Sequence, residues 1–192
     1  MIHVYPVRMT QEQTPTRSRT RQAILDAAIT GLAADPSTSL SDIAGAAAVG
    51  RTTLHRYFAE RSDLLDALKV EVAQRLVEAE GRARLAEGTG REALLRLARE
   101  YFDLGDALSF MFAGQVDVTS AYDAPPGACS STEAIERGHR DGSIDDELPA
   151  TWVESMLWCS LYAGWSYTRD TGGSRHESLR LVVRSLEGAI RG

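Results

Sequence analysis

Apolar residues recur along this chain at spacings of three and four, from Arg17 almost to the C-terminus, and period-two alternation is absent beyond the first few positions. That rhythm predicts helices and no sheet. Ile24, Ala28 and Leu32 share one face, with Leu25 and Ile29 beside them, so a first helix is expected over 17–34. Asp35-Pro36 ends it, because the residue before a proline is pushed out of the α region. Ser39-x-x-Asp42 is a capping-box pattern opening a short second helix whose inner face is Ile43 and Ala47. After the small residues Gly45 to Ala48, Gly50 is an acceptable N-cap for a third helix with Leu54 and Phe58 facing inward. A long helix follows from Ser62 into the mid-80s, then one capped by Thr89-x-x-Glu92 and one over about 106–118. Pro125-Pro126-Gly127 marks a loop over 119–130. Ser131 to His139, the apolar stretch from Pro149 to Arg169, and a last helix capped by Ser174-x-x-Glu177 complete the set. The expected fold is all-α with about nine helices, and residues 1–16, with Pro6 and Pro15, read as a tail.

Length and composition narrow this little: 192 residues suit one large domain, or a small one followed by a larger one. With 43% apolar residues, no run reaches bilayer-spanning length, and MIHVYPVRMT lacks the apolar block of a secretory signal. Cys129 and Cys159 lie 30 residues apart with no CxxC and no histidine at zinc spacing, so neither a disulfide nor a metal nor any other cofactor is expected, and a reducing cytoplasm fits. Charge says more when divided. Residues 1–61 hold seven Lys/Arg against five Asp/Glu, net +2, whereas 62–192 hold 14 against 22, net −8. Any nucleic-acid contact therefore belongs at the N-terminal end.

The run VGRTTLHRYF, residues 49–58, concentrates donors there. A short capped helix, a small-residue turn and a second short helix form a helix-turn-helix pattern. With Leu54 and Phe58 anchored inward, Arg51, Thr52, His55 and Arg56 are left outside. Residues at the start of such a helix reach base edges in the major groove, which makes Arg51, with its planar fork, the candidate for guanine and Thr52 its neighbour. Thr53, His55, Arg56, Tyr57 and Arg61 suit phosphate oxygens, which set register rather than sequence. The stretch alone is equally a solvated helix face; the order of elements around it favours DNA.

SLSDIAGAAAVGRTTLHRYFAERSDLL resembles the N-terminal signature of the TetR family of bacterial transcriptional regulators, and the likeness covers about residues 17–68. AIERGHRDGSIDDELPATW and the last two apolar helices resemble later segments of the family more loosely. The resemblance implies a helix-turn-helix domain over 17–61, with its motif at about 39–58. It also implies an effector-binding and dimerisation domain over 62–192. On matching positions it puts Ser39 and Ser41 at DNA from the second helix, Arg51 and Thr52 at bases, and Thr53, His55, Tyr57 and Arg61 at phosphates. His55 stands for a usual tyrosine, Gly50 for a serine cap and Arg61 for a lysine. The implied partners are a near-palindromic double-stranded operator, a small effector and a second copy of the chain, with no membrane. Repression is the family's usual mode.

In the larger part, Trp158, Leu161 and Trp165 share a helix face with Tyr162 alongside, and Tyr101, Phe102, Phe110, Met111 and Phe112 are placed to line the other side of a cavity. A largely apolar, aromatic effector is expected there, with Tyr101, Gln115 or Tyr162 giving hydrogen bonds. The plainer reading of any one of these rings is an ordinary aromatic core. Small residues on the same helix (Ser155, Cys159, Ser160, Ala163, Gly164) permit close helix approach, within a subunit or between two. The four histidines are scattered, no nucleophile motif or phosphate loop appears, and Asp145-Asp146-Glu147 reads as a solvated turn, so an enzyme is not expected. A ligand carrier without DNA binding is the alternative, and it would be favoured by loss of Arg51 or of the base at 61.

Overall fold

The computed structural model describes residues 15–113 and 127–191, and these form nine helices and no strand. They are α1 (Pro15–Ala34), α2 (Leu40–Ala46), α3 (Arg51–Tyr57), α4 (Arg61–Ala83), α5 (Gly90–Phe102), α6 (Asp106–Phe112), α7 (Ser131–Asp141), α8 (Ala150–Thr171) and α9 (Arg175–Ala189). The all-α expectation holds, with shifted ends. α1 starts at Pro15 rather than near Arg17, since a proline at the first helical position gives up only an amide that has no helical partner. The stretch expected to extend the sixth helix to Val118 lies outside the described residues, as do Gln115, Pro125, Pro126 and the first fourteen residues.

Local chemistry sets most helix starts. Ser39 and Asp42, Thr89 and Glu92, and Ser130 and Glu133 form capping boxes, while Ser174 accepts the Glu177 amide at 3.1 Å. Each satisfies amides that a helix end would otherwise leave bare. Reciprocal hydrogen bonding also holds the Glu92 carboxyl below its usual range, chiefly through the Thr89 amide.

The core is continuous from α1 to the end of α9, running through Ile24, Leu25, Ile29, Leu54, Leu68, Leu94, Phe110, Leu161 and Leu186. α1 joins the first three helices to the rest, packing on α2, α4 and α6. Its exposed side adds polar ties: Thr30 Oγ1 donates to Asp106 Oδ2 at 2.8 Å, and Arg75 of α4 pairs with Asp26 of α1 and with Glu71 at 2.8 Å. Farther along, two helix pairs cross at contact distance through glycine. A Cβ on Gly90 would fall 2.3 Å from the backbone of Gly138, which joins α5 to α7. One on Gly164 would fall 2.3 Å from Val182, where α8 meets α9.

Candidate nucleic-acid interface

α2 and α3 are only seven residues each, too short to persist alone, and their position comes from anchoring. Ile43 and Ala44 bury the inner side of α2; Ala47, expected on that face, caps the helix end instead and is only half-buried. The chain then turns by a Schellman motif: Val49 N–H donates to Ala44 O at 2.9 Å and Ala48 N–H to Gly45 O at 3.0 Å. Ala48 takes the left-handed conformation this requires, φ 54°. Leu54 and the C-cap Phe58 are buried and hold α3 down.

With those anchors set, Arg51, Thr52, His55 and Arg56 are exposed together on α3, while Thr53 and Tyr57 are half-buried. Ser41 is half-buried on α2, and Ser39 is exposed, its hydroxyl engaged with Asp42 in the cap. His55 Nδ1–H donates to Ala59 O at 3.2 Å, which leaves Nε2 as the free ring nitrogen. The Tyr57 hydroxyl reaches back to Arg17 O at 3.3 Å, so it ties α3 to the start of α1. Arg61 is half-buried and donates to carbonyls of the chain itself.

The structure also brings in cations that the sequence reading left out. The guanidinium of Arg17 lies 5.9 Å from the Tyr57 ring centre and that of Arg21 5.8 Å from the Phe58 ring centre. The spacing of four between them on α1 was the available signal.

The aromatic candidates divide. Tyr101 and Trp158 stack at 5.1 Å, and Phe112, Tyr162 and Trp165 form a second group with centroids 5.3–5.8 Å apart. Tyr162 is 47% exposed, and Arg169 lies over the Trp165 face at 4.3 Å. The Tyr101 hydroxyl donates to Glu80 Oε1 at 2.7 Å, linking α5 to the last turn of α4. Met111 is half-buried against the hydrophobic core. Phe102 does not join it: its ring is buried where α5 meets Gly164, with Arg175 5.4 Å above. Among the described residues, no group of three His, Cys, Asp or Glu side chains is placed to hold a metal, and no helix is long and apolar enough to cross a membrane.

A first helix, a capped short helix, a left-handed turn and a short helix with exposed donors define a helix-turn-helix, the architecture that sets its last helix into the major groove. The family model described as bacterial regulatory proteins, tetR family, matches residues 24–68. The transcriptional repressor LfrR of Mycolicibacterium smegmatis is 34% identical over 178 residues, covering 93% of this chain and 94% of the relative. The crystal structure of LfrR from Mycobacterium smegmatis in complex with proflavine superposes with a TM-score of 0.72 at 34% identity, covering 92% of this chain and 99% of that one. FadR from Bacillus subtilis in complex with stearoyl-CoA shares the fold, with a TM-score of 0.65 at 17% identity over 89% of this chain and all of that one (100%). The chain belongs to the TetR family of bacterial regulatory proteins and is a DNA-binding transcriptional regulator.

Proposed function

We propose that this protein is a cytoplasmic homodimeric repressor that leaves a near-palindromic operator when a flat, largely apolar aromatic molecule binds among α4, α5, α6 and α8. The observation that carries it is the exposed face of α3, where four outward polar side chains stand over two buried anchors. Residues 17–61 act as the DNA-binding domain and 62–192 as the effector and dimer domain. Arg51 reads a base, with Thr52 beside it; Ser39, Ser41, Thr53, His55 and Arg56 approach the backbone, joined by Arg17 and Arg21. The mycobacterial repressor's bound acridine is a precedent for a planar ligand, and the Tyr101–Trp158 stack with Phe112, Tyr162 and Trp165 is suited to such a ring. A ligand displacing that stack acts on Glu80 and so on α4. The far end of α4 adjoins α3.

Dimerisation belongs to the outward side of α8 and α9. Leu186, an obvious apolar candidate, is fully buried in the protomer's own core. The free surface instead presents Trp152, 55% exposed, with Cys159 and Ala163 on α8 and Ser185 and Gly188 on α9. A cleft of about 230 Å³ between Ala163, Tyr167, Leu181 and Ser185 is shaped to receive a side chain from a second copy. Ala163→Arg should give monomers in sedimentation without unfolding the chain; an unchanged dimer would place the seam elsewhere.

Selection of fragments from genomic DNA with purified protein supplies the operator. On it, Arg51→Ala should cost about 1–3 kcal/mol and relax one base position. Proflavine added to the wild-type complex should release the DNA. Equal operator affinity in Arg51→Ala would show that α3 is not the reading helix.

A further inference from the structure

Arg61 stands where a phosphate contact was expected, but its guanidinium faces inward. Nη1 donates to the Thr38 carbonyl at 2.7 Å and Nη2 to the Pro36 carbonyl at 2.9 Å. Both acceptors lie in the turn between α1 and α2, and Thr38 directly precedes Ser39, the N-cap of α2. A planar fork spread over two carbonyls fixes orientation as well as distance, which a lysine ammonium on a flexible stem does not.

The turn it grips is itself stiff. Asp35 accepts from the Ser37 amide and hydroxyl at 2.8 Å each, and the Thr38 hydroxyl donates to Gly31 O at 3.0 Å and Asp35 O at 2.7 Å. Asp63 accepts the Glu60 amide at 3.0 Å, fixing the first turn of α4 around Arg61. The fork therefore joins two rigid pieces, the entry to α2 and the first turn of α4.

We propose that Arg61 is a positioning residue: it sets the angle of the helix-turn-helix on α4, and hence the spacing of the two recognition helices, without contacting phosphate. This rests on the dimeric operator reading above. Dimers of this architecture meet half-sites about one DNA turn apart, roughly 34–36 Å, so a head free to swivel on α4 accepts more than one spacing.

The test uses full-length wild type, Arg61→Ala and Arg61→Lys in two arms. Without DNA, amide hydrogen exchange at Thr38 and Ser39 should speed up about tenfold in Arg61→Ala, with Arg61→Lys between, and stay unchanged in α5. With DNA, anisotropy is followed from about 50 to 200 mM salt on the wild-type-selected fragment and on versions with one base pair added or removed between half-sites. Arg61→Ala should keep the wild-type salt slope, bind the native spacing more weakly, and lose most of its discrimination against the altered spacings. A slope smaller by about one with spacing discrimination intact would mark a phosphate contact and overturn the proposal. So would unchanged exchange at Thr38 and Ser39, or full rescue by lysine. Failure of the wild type to select any fragment would strike the operator reading, and the exchange arm would still decide the role of Arg61.

Discussion

Ala48→Gly should stabilise the helix-turn-helix, against the usual direction for adding a glycine. Ala48 sits at φ 54° because the Schellman turn after α2 needs a left-handed residue at that position. A Cβ there costs about 1–2 kcal/mol through its clash with the following carbonyl. Glycine removes that cost but returns about 0.4–1 kcal/mol of freedom to the unfolded chain. The net gain is about 0.5–1 kcal/mol, because strain and entropy oppose each other and strain is the larger. All three tryptophans lie on α8, so their fluorescence is blind to this turn. Hydrogen exchange at the Leu54 amide, which bonds to Gly50 O at 3.0 Å in the first turn of α3, reports on it directly. Ala46→Gly, two residues earlier and still helical, is the control and should lose about 0.5–1 kcal/mol. Equal losses in both variants would mean that the left-handed turn stores no strain.

Two further outcomes test the larger part of the chain. Gly90→Ala drives a methyl to 2.3 Å from the Gly138 backbone, which cannot yield as a side chain would, and should cost about 3 kcal/mol or more in urea denaturation; near-wild-type stability would mean that α5 and α7 separate easily. Burial pushes the Asp141 carboxyl up, but hydrogen bonds from Ser143 and the Gly90 amide outweigh it and hold the group below the usual 3.8. Its contribution is thus complete above pH 3.8 and fades as pH falls through the lower folded value, so the deficit of Asp141→Asn, at most about 1 kcal/mol at pH 7 for so exposed a group, should shrink towards pH 3. A deficit constant with pH would refute the carboxylate's role.

The helices were legible because their signals are local. A capping box spans four residues, and a turn of small residues followed by an anchored polar helix spans about twenty. What was not legible depended on direction. Phe102 and Tyr101 are neighbours in sequence, yet one ring fills the α5–α8 crossing and the other stacks on Trp158. Leu186 and Ala163 both look fit for a helix seam, but which side of α8 and α9 faces inward is chosen by the core they pack on. Gly90 and Gly138 give no hint of each other, because nothing in either neighbourhood encodes the crossing. For Arg61, a basic residue at the start of a helix is visible in the sequence, whereas the two carbonyls that its guanidinium meets appear only when the α1–α2 turn folds back to it.

That tie bears on how the proposed effector would be felt at the DNA. From Arg61 to Glu80, α4 is about 29 Å long at 1.5 Å per residue, and each end is tied to a different element by side-chain hydrogen bonds. Tyr101 holds one end and the α1–α2 turn the other, while Arg75, about one and a half turns before Glu80, pins the helix to α1. A rigid rod fixed at three points cannot slide freely, so a ligand that breaks the Tyr101–Trp158 stack must either be resisted or pivot the rod about the Arg75 node. The ligand supplies only its difference in affinity between the two arrangements, about 1–3 kcal/mol in regulators of this kind. The tie to α1 itself, Arg75 with the exposed Asp26, is worth no more than about 1 kcal/mol. The pivot is therefore within reach of a small molecule, and weakening the node by Arg75→Met should let less ligand release the same operator. If the dose of proflavine needed for release were unchanged in that variant, the signal would have to run through the α1–α6 contact at Thr30 and Asp106 instead.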